Sequence, residues 1–248
     1  MTASGNARHA RRTEILRELG LTPLWRTKGD NTSHAVLAES GGKDSSPRID
    51  ATEDRRSRIL RMDWDQVKTS VEGCVACPLC RSRSRTVFGV GDRNADWLYV
   101  GEGPGVQEDA TGEPFVGPAG KLLDNMLAAI DLKRGRNVYI ANIVKCRPPG
   151  NRNPTFEEAQ QCEPYLARQI ELIKPRLIVV LGKVAAHNLL HTDATLASLR
   201  GRLHEHSGIP VIVTYHPAYL LRTPQDKAKA WEDLCFARST MQRLGASE

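Results

Sequence analysis

The sequence predicts a three-layer α/β/α fold, a parallel sheet covered on both faces by helices. Three observations carry that expectation. Four short apolar runs, rich in β-branched and aromatic residues, recur along the chain: Trp97-Leu98-Tyr99-Val100, Asn137 to Val144, Leu177 to Leu181 and Val211-Ile212-Val213-Thr214. Segments with apolar residues at helical spacing lie between them. The runs are continuously apolar rather than alternating, as strands buried on both faces must be.

Residues 1–62 read as an N-terminal extension to a domain over 63–248. Arg12 to Leu24 has Ile15, Leu16 and Leu19 on one side of a short possible helix that Gly20 would end. Gly29 to Arg58 is rich in Ser, Gly, Asp and Arg and has the composition of a flexible linker. The domain then opens with Asp63, a cap for a helix through Trp64, Val67 and Val71. Val87 to Gly91 is β-like, and the Trp97 strand follows. A glycine-rich stretch over 101–120 leads into a helix from about Pro118 to Ile130. After the second strand, KCRPPGNRNP holds three prolines and cannot be regular structure. Thr155, with Glu158 three residues on, starts a helix that runs to Ile173. The third strand leads to a helix over Val184 to Leu190. The fourth delivers Tyr215-His216-Pro217-Ala218-Tyr219-Leu220-Leu221-Arg222, and a closing helix spans about Gln225 to Leu244.

The stretch GEGPGVQEDATGEPFVGPAG joins a strand to a helix, and open α/β sheets bind ligands at the carboxyl ends of their strands. It lacks the GxGxxG and GxxxxGK[ST] spacings of dinucleotide and P-loop sites. Glu102, Glu108 and Asp109 would repel phosphate. The loop therefore suits a neutral, flat, polar ligand, although glycines at such places also serve simply to make turns.

A chain of 248 residues with 26% charged and 40% hydrophobic residues fits a globular protein of one such domain plus an appendage. A net charge of +6 and a pI of about 9.1 point to an acidic partner such as nucleic acid. No apolar run reaches the length of a membrane span, and the N-terminus lacks the apolar core of a secretory signal. A cytoplasmic monomer with no membrane partner is the expectation.

In a reducing compartment, cysteines read as metal ligands or catalytic groups. Of the six here, Cys74 and Cys77 form a CxxC, Cys146 lies in the proline-bound loop and Cys162 in the helix after it. This division suits a cubane iron–sulfur cluster or Zn²⁺, and spacing does not choose between them. Buried free thiols are the plainer alternative, but Cys146 stands between Lys145 and Arg147, a poor place for a core residue. Cys80 could compete as a ligand, and Cys235 reads as helix packing.

Four ordered segments, CVACPLCRSRSRTVFGVG at 74–91, the glycine-rich loop at 101–120, NIVKCRPPGNRNP at 142–154 and HPAYLLR at 216–222, resemble the family 4 uracil-DNA glycosylases. The resemblance covers about residues 70–244 and leaves 1–62 outside. It implies a central four-stranded parallel sheet between helices and a structural [4Fe-4S] cluster on Cys74, Cys77, Cys146 and Cys162, with Cys80 left out. It implies a uracil-containing DNA substrate, single- or double-stranded, whose target nucleotide is flipped out of the stack.

Phe115 matches the residue that stacks on the base, Asn142 the amide that pairs with the uracil edge, and His216 the histidine that stabilises charge on the pyrimidine oxygen. Gly101, Glu102 and Gly103 are implied around base and water, with Glu102 or nearby backbone placing the water. Glu108 is the candidate guard against the thymine methyl. Arg147, Arg152 and Arg222 are expected at DNA phosphates, and Leu220 and Leu221 as a wedge into the duplex. Two other readings remain open here: a relative that bonds covalently to the abasic site, and a cluster-bearing DNA-binding module without activity.

Overall fold

The computed structural model describes residues 54–246. The possible helix over 12–24 and the linker-like stretch up to residue 53 lie outside these residues. Among the described residues, six strands form one sheet: β1 (Val90–Gly91), β2 (Trp97–Gly101), β3 (Val138–Asn142), β4 (Leu177–Leu181), β5 (Leu203–His206) and β6 (Ile209–Thr214), in the order β1-β3-β2-β4-β6-β5. The inner four, β3-β2-β4-β6, are parallel and correspond to the four predicted runs. Both edges are antiparallel, β1 against β3 and β5 against β6. The β5 strand carries no apolar run, because an edge strand with one solvated face needs none.

Successive strand residues point to opposite faces, and that alternation builds two cores. Leu98, Val100, Tyr139, Ala141, Ile178, Val180, Val211 and Val213 form one with Leu166 and Ile170 of α5 (Phe156–Ile173). Tyr99, Ile140, Val179, Leu181 and Ile212 face the other way, onto Leu123 and Leu127 of α4 (Pro118–Ala128) and Leu234 and Ala237 of α9 (Lys227–Gly245). The predicted cap at Asp63 and capping box at Thr155 both form, and Asp63 makes a full box with Gln66. Asp63 and Gln66 exchange bonds of 2.9 and 3.0 Å at the start of α2 (Trp64–Glu72), and Thr155 and Glu158 do the same at α5.

One helix falls where composition reads as linker. This is α1 (Arg55–Leu60), whose RRSRIL has too little apolar content to announce itself. One apolar residue anchors it: Ile59 is buried among Val67, Val71, Phe88 and Tyr165. Arg55 adds a bond of 2.9 Å to the Gln161 carbonyl and lies over the Tyr165 ring. Emptying that socket should destabilise the domain, so Ile59→Ala is expected to lower the free energy of unfolding by about 2–5 kcal/mol in urea titration. An unchanged midpoint would show that α1 contributes nothing to the folded unit.

Candidate active site

The parallel register of β2 and β3 sets Gly101 beside Asn142 at the carboxyl end of the sheet. A cleft of about 400 Å³ opens there, lined by Glu102, Gly103, Phe115, Asn142, His216 and Arg222 among others. The residues picked out by the sequence for base recognition therefore meet, although they come from the ends of β2 and β3 and from the connections after β2 and β6.

Close backbone approach makes the cleft possible. A Cβ on Gly101 would lie 2.5 Å from Asn142 Oδ1 and 2.6 Å from Phe115 Cζ. One on Gly120 would lie 1.7 Å from the Phe115 carbonyl oxygen. Phe115 itself is left-handed, at φ 55°, a conformation that costs a bulky residue about 1–3 kcal/mol and must be held by its surroundings. Its ring lies 5.5 Å from the His216 ring, tilted by 30°.

Glu108 is one of the groups that hold this turn. It sits on α3 (Val106–Thr111), a helix hidden in the sequence by the glycines on either side. Its Oε2 accepts from the Gly105 amide at 3.1 Å, and its Oε1 accepts from the Val116 and Gly117 amides at 3.0 and 3.1 Å. One carboxylate thus ties the two ends of the loop together while lining the cleft. Glu102 has no such tie, and burial pushes its carboxyl above the usual range.

Asn142 is 2% exposed, yet its Oδ1 has no hydrogen-bond partner in the protein. An unsatisfied buried acceptor costs about 1–3 kcal/mol, so it calls for an outside donor. Lys145 fixes the residue from behind: its buried ammonium donates to the Asn142 carbonyl at 3.0 Å and to Gln169 Oε1 at 2.6 Å. Burial lowers the Lys145 ammonium to about 8, against the opposing pull of Cys162 and Cys146.

His216 caps α8 (Pro217–Arg222), with its Nδ1 accepting from the Ala218 amide at 3.1 Å. Its approach needs Gly182, at φ 93°, where a Cβ would sit 2.8 Å from His216 Cβ. Burial, then the Arg222 charge, lowers the imidazole to about 4, with Glu108 pulling weakly the other way. The ring is neutral near pH 7. With Nδ1 engaged as an acceptor, the proton is on Nε2, which is free to donate.

The expected DNA-contact residues divide. Arg147 is on the rim loop, donating to Asn151 Oδ1 at 2.7 Å, and Arg152 forks onto Glu158 at 2.7 and 2.8 Å. Arg222 lines the cleft. Leu220 is 1% exposed and belongs to the core beneath α8, so it cannot enter a duplex; Leu221, 44% exposed, is the outward member of the pair. Arg200, shortly before the β5 edge strand, is paired with Asp233 at 2.7 Å and so is not free for phosphate. Cys235 is exposed and packs no core.

Cys74, Cys77, Cys80, Cys146 and Cys162 edge one small void behind the Lys145 loop. Among the described residues, no three His, Cys, Asp or Glu converge tightly enough for a single ion. Three of the sulfurs receive N–H donors of the kind that suit a thiolate: Arg83 Nη1 to Cys146 at 3.2 Å, the Lys145 amide to Cys162 at 3.3 Å and Arg55 Nη2 to Cys74 at 3.7 Å. Burial pushes the Cys162 thiol up to about 12, so a bound metal is what would favour its thiolate form.

The chain belongs to the uracil DNA glycosylase superfamily, whose sequence profile matches residues 88–235. Within it the chain is a type-4 member. It is 45% identical over 169 residues to the type-4 uracil-DNA glycosylase of Archaeoglobus fulgidus, covering 65% of this chain and 84% of the relative. It is 42% identical over 183 residues to the type-4 enzyme of Thermotoga maritima, covering 72% and 95%. The type-5 uracil-DNA glycosylase of Pyrobaculum aerophilum is more distant, 34% identical over 146 residues, covering 52% and 64%.

The site also uses residues that sequence reasoning passes over. Gly182, between an apolar strand and a helix, carries the strand-turn-helix signal that marked Gly101. Gln169, which receives the Lys145 ammonium, has none.

The state of His216 is directly measurable. By NMR its ring should titrate near pH 4, with the Nε2–H tautomer populated above that. Between its folded value of about 4 and its ordinary 6.5, the unfolded chain takes up a proton that the folded chain refuses. Stability from this group is therefore full above pH 6.5 and is lost as pH falls towards 4. A ring titrating near 6.5 in the folded protein would contradict the buried neutral state.

Proposed function

We propose that this chain excises uracil from DNA by hydrolysing the N-glycosidic bond, leaving an abasic site and so starting base excision repair. The observation that carries the reading is the unpartnered buried acceptor of Asn142, flanked in one cleft by the Phe115 ring and a neutral imidazole. Uracil presents an N3–H donor between two carbonyl acceptors. Asn142 Oδ1 would accept from N3–H while its amide nitrogen donates to O4, and Phe115 would stack on the ring. The base has to leave the helix to reach them.

As the glycosidic bond breaks, negative charge develops on the base and positive charge on the sugar. His216 Nε2–H is the donor for the O2 oxygen, acting where charge appears as an oxyanion-hole donor does. Water must attack from the sugar side, and Glu102, half-buried beside Gly103, is the group in the cleft with the means to orient it. Burial raises the Glu102 carboxyl, the direction in which a carboxylate becomes a stronger base. Glu108 occupies the volume left by Gly105 and would meet the methyl of thymine. Arg152 and Arg222 line the cleft, and Arg147 stands on the same loop as Arg152; these three would take phosphate contacts, with Leu221 as the apolar wedge.

Cys74, Cys77, Cys146 and Cys162 would hold a [4Fe-4S] cluster. When bound it supplies a cross-link between the CxxC segment, the Lys145 loop and α5. The partner is uracil-containing DNA, and the chain works as a monomer in the cytoplasm. No described helix is long and apolar enough to cross a membrane.

A labelled oligonucleotide with one uracil tests the reading: free uracil and an alkali-labile site are expected, and a covalent adduct or no release would refute it. His216→Ala should lower kcat by on the order of 10²–10³, the usual cost of one such donor, with little change in DNA affinity. Excision at the wild-type rate would exclude the histidine from the reaction.

For the metal centre, protein made anaerobically with ample iron should be brown and carry roughly four irons per chain. Cys146→Ser should abolish the colour and Cys80→Ser should keep it. Stoichiometric zinc in place of iron would overturn the cluster.

A further inference from the structure

The turn that carries Phe115 is gripped from two sides, and only one of the grips lies in the glycine-rich loop. Glu108 takes the amides of Val116 and Gly117. The carbonyls of the same turn point the other way, into the guanidinium of Arg134. Its Nη1 donates to the Pro114 oxygen at 2.8 Å and its Nη2 to the Phe115 oxygen at 2.9 Å. Its Nε donates to Asp124 Oδ1 at 2.9 Å, on α4, the helix whose first turn contains Gly120. Arg134 comes from the short turn after α4, where Lys133 and Arg136 bridge, and nothing in that stretch of sequence marks it. Its side chain is 24% exposed, so most of the fork is shielded from water.

Resting on the glycosylase reading above, we propose that Arg134 is a positioning residue for base recognition, fixing the Phe115 ring by holding both carbonyls of its turn. The planar fork matters. Two parallel donors at a fixed spacing match two carbonyls of one turn, and an ammonium cannot offer that pair. A left-handed Phe115 would otherwise relax towards ordinary backbone and carry its ring off the base plane. Glu108 alone does not prevent this, because it restrains the amides after Phe115 and leaves the carbonyls before and at Phe115 unheld.

The test is a double-mutant cycle between Arg134→Gln and Phe115→Ala, read as kcat/KM on uracil-containing oligonucleotide and as competitive inhibition by free uracil. Stacking of one base is worth roughly ten- to hundred-fold in affinity. Arg134→Gln is expected to weaken uracil inhibition about ten-fold and to lower kcat/KM comparably. In the Phe115→Ala background the same change should cost less than about two-fold, because the ring it positions is gone. Arg134→Lys should recover part of the loss.

Equal costs in both backgrounds, or undiminished uracil inhibition in Arg134→Gln, would overturn the proposal. Amide hydrogen exchange gives a readout independent of activity. Val116 and Gly117 should exchange several-fold faster in Arg134→Gln than in wild type, and unchanged protection would also overturn it. Wild-type protein that releases no uracil would defeat the glycosylase reading, while the exchange result would still decide whether Arg134 holds the turn.

Discussion

The site depends on one pairing: Gly101 of β2 against Asn142 of β3, with no side chain on the glycine. The space where a Cβ would stand is shared by the Asn142 amide and the Phe115 ring, 2.5 and 2.6 Å away. A single methyl group there would have to push the Asn142 amide or the Phe115 ring out of place. Gly120 continues the same close packing under Phe115, and Gly182 repeats it under His216. Three glycines on three elements thus set the shape of the cleft, and none of them offers a functional group.

The site retains features that would be corrected in an ordinary core. Asn142 keeps a buried acceptor without a donor, and Phe115 keeps a strained backbone. Such features persist only when the surroundings over-determine them. The restraints are charged and mostly shielded: Glu108 on amides, Arg134 on carbonyls, Lys145 on the Asn142 carbonyl. Lys145 has a second consequence. Its neighbour Cys146 and its amide partner Cys162 edge the cysteine void, while its ammonium reaches β3. One residue therefore joins the cysteine-lined region to the strand that carries Asn142.

The parallel core was legible because strands buried on both faces must be continuously apolar, and the helix starts at Asp63 and Thr155 because capping boxes are local chemistry. The edge strand β5 and the helices α1 and α3 were not. Their sequences are polar, charged or flanked by glycine, and their conformations come from tertiary docking such as that of Ile59. The site followed the same division. Phe115, Asn142 and His216 lie in stretches with strong patterns. The distinction between Leu220 and Leu221 needed the orientation of α8, and Arg134 needed the fold that brings a turn after α4 back to a loop before it.

The state of His216 bears on how charge is handled. A histidine held at about 4 cannot serve as a proton donor in the ordinary acid sense near pH 7, because almost none of it is protonated. In the proposed reaction it would offer a fixed Nε2–H dipole. A uracil base can leave as a delocalised anion, so its O2 needs a donor that strengthens with the developing charge more than it needs a proton. A neutral imidazole would cost little in the ground state, where the oxygen is a carbonyl. On the proposed reading it would contribute most when the oxygen becomes anionic, the kind of difference that lowers a barrier. The Ala218 amide on Nδ1 makes this possible. It consumes the acceptor nitrogen, fixes the tautomer and leaves the donor nitrogen as the imidazole's free hydrogen-bonding group.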